Sequence, residues 1–399
     1  MTATKSVDVL VVGARCAGAA TAMLMARRGL RVLAIDRNDY GSDTISTHAL
    51  MRGGVLQLAR WGAPSRLRDR GTPAIRNTTF HYGDDVLDVA IRPAHGIDAL
   101  YAPRRTILDS LLVDMAWESG AEIKHRHTLI DLVRHTNGQI CGAIIADAAG
   151  NLTQVRADLV VGADGVGSSV ARLADVPMTR QAHHATAVVF GYFPGVTEAG
   201  YQWHYRSGVS VGAIPTNADQ HCVFVAIPPD QFRRTPWRTD RASMFHQTLQ
   251  HAVPELAATI HTSLYDTPLH VFAGHKGYFR PAVGPGWALV GDAGYFKDPI
   301  TAHGITDALR DAELLANAAA LGNLSAFADF AATRDALSRP LFEATDEIAS
   351  FDWTFDRLQE LHQTLNRTMK QEVNHLLTLG GVHHTTPLDH PTLIQEKAA

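Results

Sequence analysis

The sequence predicts an α/β protein with three parts: a discontinuous Rossmann-like dinucleotide-binding domain, an inserted antiparallel β-sheet domain and a helical C-terminus. Three observations carry this reading. The stretch DVLVVGARCAGAATAMLMARRGLRVLAID, residues 8–36, reads as strand, glycine turn, helix, strand and acidic end. Two later stretches, ADLVVGADG (residues 157–165) and GWALVGDAG (residues 286–294), are apolar strands that also run into an aspartate. Between them lies a block of alternating residues, the mark of half-buried strands.

Residues 7–12 form a short run rich in β-branched residues, as a buried parallel strand requires. Gly13 gives the tight turn and Gly18 lets the helix pack closely on the strand. Ala19, Ala20, Ala22 and Ala26 keep that helix slim, and Gly29 ends it. A second strand, residues 31–35, leads to Asp36, with Arg37 beside it. The interval from Gly13 to Asp36 is that at which a carboxylate meets a ribose hydroxyl, and the helix N-terminus offers free N–H groups to a pyrophosphate. Arg15 stands where G-x-G-x-x-G has its middle glycine. A side chain fits there if it points away from the phosphate path, and an arginine there adds charge for the phosphate. The stretch alone also fits a βαβ unit that binds nothing, so the later motifs decide.

A strand ribbon over residues 139–164 turns at Ala149-Gly150-Asn151. Residues 185–269 are read as strand-rich. Tyr201, Trp203 and Tyr205, then Val209, Val211 and Ala213, alternate around a Ser207-Gly208 hairpin, with residues 221–229 as partner strand. Residues 75–95 add strands, and one face of this sheet is expected to lie over the cofactor. Phe351, Phe355, Leu358, Leu361, Leu365, Met369, Val373 and Leu376 recur at helical spacing. That helix docks on the body or forms a dimer surface, so a monomer or homodimer is expected. The nucleotide domain takes residues 1–75, 100–180 and 275–330. The sheet domain takes 76–99 and 181–274, the helical segment 331–380, and 381–399 is a loose tail.

Composition excludes other classes. Of 399 residues, 46% are hydrophobic and 19% charged, as in a soluble globular protein. A net charge of -4 gives no basis for binding nucleic acid. Cys16, Cys141 and Cys222 form neither a disulfide framework nor a zinc set, and the 21 histidines show no metal-ligand spacing, so no metal is expected. The first strand begins too early for a signal peptide, and no uncharged apolar run reaches about 18 residues. A cytoplasmic protein without a membrane span fits all of this.

The three strand-end motifs, in this order, resemble the class A flavoprotein monooxygenases with the p-hydroxybenzoate hydroxylase fold. Flavin halogenases and geranylgeranyl-reductase-like enzymes share the scaffold. The resemblance spans roughly residues 5–320. It implies FAD, with Gly13, Gly18 and Asp36 on its ADP part. Asp158, Gly162, Asp164, Gly165, Ser168 and Arg172 match most of the family's D-x-x-x-G-A-D-G pattern. Gly291-Asp292 resembles the GD motif, with Asp292 on the ribityl chain, Pro299 near the reactive face, and residues 301–305, including Ala302, His303, Gly304 and Ile305, aiming N–H groups at the ring. MRGGVLQL, residues 51–58, resembles a cofactor-wrapping segment, with Arg52 on the pyrophosphate and Gly53-Gly54 close to the ring. RRTILDSLL, residues 104–112, makes Arg105 the FAD contact rather than Arg104. An ordinary surface role is the alternative for either arginine taken alone. The chain departs from the family at Tyr295, Asp298, Ala302 and His303, which stand for histidine, a different residue before the proline, glycine and glutamine.

The resemblance implies reduction of FAD by NADH or NADPH, addition of molecular oxygen to give a flavin C4a-hydroperoxide, and hydroxylation of an electron-rich aromatic or heteroaromatic small molecule. His48, His303 and Pro299 are the catalytic candidates, and Tyr201, Trp203, His204 and Tyr205 the substrate contacts. Structural packing is the alternative for each histidine and for the aromatic strand. Cys16 is read as a packing residue. A dehydrogenase or reductase of the geranylgeranyl-reductase type is the second reading, ahead of halogenation and of a non-catalytic flavin carrier.

Overall fold

The computed structural model describes residues 3–237 and 239–379; the tail beyond 380 lies outside these. Two large sheets face each other across a shared core. In the first, strand Ala3–Val12 pairs in parallel with Val32–Asp36 on one side and Leu152–Gly162 on the other. Trp287–Leu289 and Glu122–His125 extend the parallel set outward. Both faces are covered, which explains the unbroken apolar run in the first strand. Val9 and Val11 pack toward helices Cys16–Ala26, Arg105–Glu118 and Gly304–Leu321, while Leu10 and Val12 pack toward the ribbon of strands Thr128–Arg134 and Ile140–Ala146.

The parallel register brings three strand C-termini together. Val12 pairs with Gly162, which in turn pairs with Leu289, so the turns at Gly13, Ala163-Asp164 and Gly291-Asp292 lie side by side. This is where open α/β sheets bind ligands.

The second sheet has seven strands, in the order His270–Phe272, Ala187–Pro194, Gln220–Ile227, Val209–Pro215, Tyr201–Arg206, Asn77–Tyr82 and Asp85–Ala90. It is antiparallel apart from the Tyr201–Arg206 pairing with Asn77–Tyr82, which is parallel. That parallel pair joins the strands of residues 77–90 to the antiparallel insert. The strand-rich reading of residues 185–269 also needs correction. Helices Pro229–Arg234, Arg241–Ala252 and Pro254–Leu264 occupy its second half. Phe245, Leu249, Leu256, Ile260 and Leu264 recur at helical spacing and cover the outer sheet face of Val189, Val211 and Val225.

Two long helices, Leu324–Ile348 and Phe355–Thr378, close the molecule. Phe351 falls outside the expected helical run. It has a φ of +56° in the link between them, where the chain must reverse, and helix starts only after the Thr354 cap. Among the described residues no helix is long and apolar enough to cross a membrane.

Candidate functional site

A cavity of about 540 Å³ runs along the joined strand ends. At one end lie Asp36, Arg37, Asn38, Thr128 and Leu129. The middle is formed by Gly13, Arg15, Cys16, Arg105, Ala163, Asp164, Gly165 and Asp292. The far end carries His48, Val188, Phe190, Phe272, Phe296 and Pro299. Ala302, His303, Gly304 and Ile305 also line it.

The first turn shows why Arg15 is tolerated. Gly13 has a φ of +101°, and an added Cβ would sit 2.3 Å from the Ala163 oxygen. A Cβ on Gly18 would stand 1.7 Å from the Gly13 oxygen. Those two positions demand glycine. Arg15 instead has an extended backbone, φ −83° and ψ −167°, which any residue adopts. Its guanidinium reaches the carbonyls of Ser42 and Asp43, and pairs with Asp109 at 3.2 Å.

Asp109 was not legible as a site residue, although it stands four residues after Arg105 on one helix face. Arg105 donates to it at 3.0 and 3.1 Å, so Asp109 joins two arginines beneath the cavity. Arg105 also donates to the Cys16 sulfur at 3.5 Å. Burial pushes the Cys16 thiol up to about 11, which keeps it protonated and unreactive.

Asp36 accepts from the Ala14 amide at 2.9 Å and from the Asn38 amide at 2.8 Å. A carboxylate with two such bonds keeps acceptor capacity toward the cavity. Asp164 is used differently from expectation. Its carboxylate accepts from the Ser168 hydroxyl and from the amides of Ser169, at 2.6 Å, and Val170. It therefore holds the turn that its own backbone, with Gly165, presents to the cavity.

Asp292 is half-buried in the wall, and burial pushes its carboxyl up to about 6, opposed by Lys297 and Arg105. Among the described residues no hydroxyl or amide donates to its carboxylate to favour the charged form, and a polyhydroxylated ligand would supply one. Gly291 does not line the cavity. It has a φ of +55°, packs between Ala17 and Ala308, and donates its amide to Asp311 at 3.1 Å.

The turn at Pro299 is pinned by Asp298, which accepts from the Ile300 amide at 3.0 Å and from Thr186 at 2.6 Å through both amide and hydroxyl. Thr186 precedes the sheet strand Ala187–Pro194, so one aspartate ties the Pro299 turn to the second sheet. Ala302 holds a left-handed φ of +50°. His303 caps the 18-residue helix Gly304–Leu321 without a side-chain bond to it, which leaves the first helical amides free. Lys297, absent from the expected set, also lines the cavity, and burial beside Arg310 pushes its ammonium down to about 7. It pairs with Asp307.

His48 lines the far end, stacked on Tyr192 at 5.6 Å. Its Nδ1 faces the Ser46 carbonyl at 3.1 Å and its Nε2 the Thr216 hydroxyl at 3.2 Å. Thr216 also donates to the Ala102 carbonyl at 2.6 Å, so one proton serves two acceptors when the ring is neutral. Burial pushes His48 down to about 3, which sets that neutral form.

Several expected site residues fall elsewhere. Tyr201, Trp203 and Tyr205 are buried away from the cavity. Tyr201 donates to the Tyr101 carbonyl and Trp203 to Thr78, while Tyr205 stacks on Tyr82. His204 stacks on His81 at 4.0 Å. The reason is strand order: Gln220–Ile227 and Val209–Pro215 intervene between this strand and Ala187–Pro194, which places it about 14 Å further off. Phe190 and Val188 hold the position expected of those rings. Arg52 donates to the carbonyls of Arg92, Ala94 and Ile97 rather than to the cavity. Gly53 and Gly54 let their helix pack on Thr306, where added Cβ atoms would come within 3.1 and 2.9 Å. Gly18 and Gly291 act through packing, without lining the cavity.

His303, Asp307 and Glu372 bring their ligand atoms within 4.8 Å of one another, a spacing that fits a metal. Here Arg310 and Lys297 already supply the positive charge, pairing with Glu372, Asp307 and Asp311.

Comparison with known proteins agrees with this geometry. Residues 6–322 match the family described as FAD binding domain. A digeranylgeranylglycerophospholipid reductase of Methanothrix thermoacetophila is 24% identical over 76% of this chain and 75% of its own. A 6-methylpretetramide 4-monooxygenase of Streptomyces rimosus is 27% identical over 76% and 73%. The solved structure of the flavin-dependent brominase Bmp2 superimposes with a TM-score of 0.76 over 94% of this chain and 93% of that one, at 22% identity. The chain therefore belongs to the FAD binding domain family, as a flavin-dependent oxidoreductase with the p-hydroxybenzoate hydroxylase-like fold.

Proposed function

We propose that the protein is a monooxygenase that uses FAD, NADH or NADPH, and molecular oxygen to hydroxylate an electron-rich aromatic or heteroaromatic small molecule. The observation that supports this reading is a single cavity with two chemically different ends: polar and nucleotide-sized along the strand termini, apolar at Val188, Phe190, Phe272 and Phe296. Asp36 would hold the ribose, the N-terminus of helix Cys16–Ala26 the pyrophosphate, and Asp292 the ribityl hydroxyls. The free amides at Gly304 and Ile305 would face the pyrimidine edge of the flavin, where negative charge collects on reduction. Bound FAD supplies the transfer of one oxygen atom, at the stoichiometry of one substrate, one oxygen and one NAD(P)H with a proton, giving hydroxylated product, water and NAD(P)+. The apolar far end orients the ring and excludes water, and neutral His48, held by Ser46 and Thr216, closes that end without adding charge.

A second reading is a flavin reductase acting on a carbon–carbon double bond. It draws on the similarity to the digeranylgeranylglycerophospholipid reductase and on Tyr295 and His303 in place of the monooxygenase pattern. The two separate in one experiment. FAD-loaded enzyme with NAD(P)H and a candidate phenol, under air, is expected to oxidise the cofactor faster with substrate present and to yield a product heavier by one oxygen. Turnover that persists without oxygen would establish the reductase instead.

A further inference from the structure

The family match ends at residue 322, yet a histidine in the cavity wall is bonded by a residue beyond it. Glu372, on helix Phe355–Thr378, accepts a hydrogen bond from His303 Nε2 at 2.7 Å. Both side chains are about 1% exposed. The other Glu372 oxygen is held by Arg310 at 2.8 Å. His303 Nδ1 is buried and has no protein partner among the described residues. His303 lines the cavity, directly after the left-handed residue Ala302. An added Cβ on Gly53 would meet Thr306 at 3.1 Å and Glu372 Oε2 at 3.4 Å. The glycine pair of the Arg52–Trp61 helix thus lets three helices close around this histidine and carboxylate.

We propose that Glu372 is a positioning residue for His303. It takes the Nε2–H, so that Nδ1 is the atom that holds a proton when negative charge develops in the cavity. The C-terminal helix is thereby part of the reaction site. The inference rests on reading the cavity as the flavin's.

The charges around His303 support this assignment. Lys297 comes from the preceding loop, Asp307, Arg310 and Asp311 from its own helix, and Glu372 from the C-terminal helix. Burial opposes ionisation of Glu372, but His303, Arg310 and Lys297 hold its carboxyl well below the usual range. Burial keeps His303 below its ordinary value, so at rest the pair is a neutral imidazole beside a carboxylate. When charge accumulates nearby, His303 gains one proton from solvent at Nδ1 and Glu372 stays ionised. The pair then passes from a charge of minus one to zero. A carboxylate behind the imidazole favours that uptake.

The test compares full-length wild type with Glu372→Gln, His303→Gln and the double variant, all loaded with FAD. The midpoint potential of the flavin, its dissociation constant and the melting temperature are read for each. Through His303, Glu372→Gln makes the reduced state harder to neutralise and is expected to lower the potential by about 30 mV, a tenfold shift in a two-electron equilibrium. His303→Gln should lower it similarly, and the double variant no further. A merely structural or field role gives the opposite sign or additive effects, because removing a negative charge alone raises the potential. An unchanged or raised potential in Glu372→Gln, or an equal drop in the His303→Gln background, overturns the proposal. Should Glu372→Gln fail to fold, Glu372→Asp keeps the charge at shorter reach and should shift the potential in the same direction. Nitrogen NMR of His303 in the apoprotein gives an independent reading: a bare Nδ1 and protonated Nε2 are expected, and a protonated Nδ1 with bare Nε2 refutes the pair. If wild type takes up no FAD, the cavity reading fails while this last measurement still decides the pair.

Discussion

The buried carboxyl of Asp292 carries a desolvation cost, and replacing it should show how much. Its carboxyl is raised from 3.8 to about 6, chiefly by burial. In the unfolded chain the group returns to its ordinary value. The folded state therefore binds the proton more tightly than the unfolded one, and stability falls as pH rises from about 4 through about 6. A shift of roughly two units corresponds to about 3 kcal/mol at most, and the carboxyl's partial exposure brings the expectation to about 1–2 kcal/mol. Asp292→Asn keeps the shape and removes the charge. Apoprotein carrying it should be more stable than wild type at pH 7.5 by that amount, with the gap closing as pH falls toward 4. The same variant should hold FAD more weakly, since an amide is a poorer acceptor for hydroxyls than a carboxylate. Thermal melts of both apoproteins across pH 4–8, with flavin titrations at pH 7.5, measure both effects. A variant no more stable at pH 7.5, or a gap that stays constant with pH, would refute the placement of this carboxylate in a desolvated wall. Unchanged flavin affinity would remove Asp292 from the cofactor contacts.

Other perturbations test the remaining parts. Gly18→Ala places a Cβ 1.7 Å from the Gly13 oxygen, which is backbone and cannot swing aside; a loss of about 2–3 kcal/mol and at least tenfold in FAD affinity is expected by melting and titration. Arg15→Gly should cost under about 1 kcal/mol, since Asp109 keeps its pair with Arg105 and no clash is relieved; a loss as large as that of Gly18→Ala would reverse the roles assigned to the two positions. The cations between the middle and the far end are occupied: Arg105 by Asp109, Lys297 by Asp307, and Arg104, behind the wall, by Asp43 and the Tyr192 ring at 3.4 Å. An uncharged phenol should therefore exceed the matching benzoate at least tenfold in kcat/KM, because a carboxylate would be buried unpaired; equal values would place an available cation in the pocket. His48→Ala should lower coupled hydroxylation with little change in flavin content, and the wild-type rate should show no histidine titration from this residue between pH 5 and 8; full activity in His48→Ala would take it out of the site.

The sequence by itself determined the nucleotide half of this protein. Glycines at 13 and 18, an acidic strand end at 36 and two later aspartate-ended strands are local signals, because a tight turn and a helix packed on a strand impose residue types at fixed intervals. The three-stranded meeting point followed from them, since parallel strands that share a register must end together. What lies over that point was decided only by tertiary structure. Phe190 rather than Trp203 faces the cavity because sheet order, not chain order, sets distance. Asp109, Lys297 and Glu372 reach the site from segments whose local patterns are those of ordinary helix and loop. A side chain's role there depends on which buried charge faces it across the fold, and periodicity records only that a position is inside.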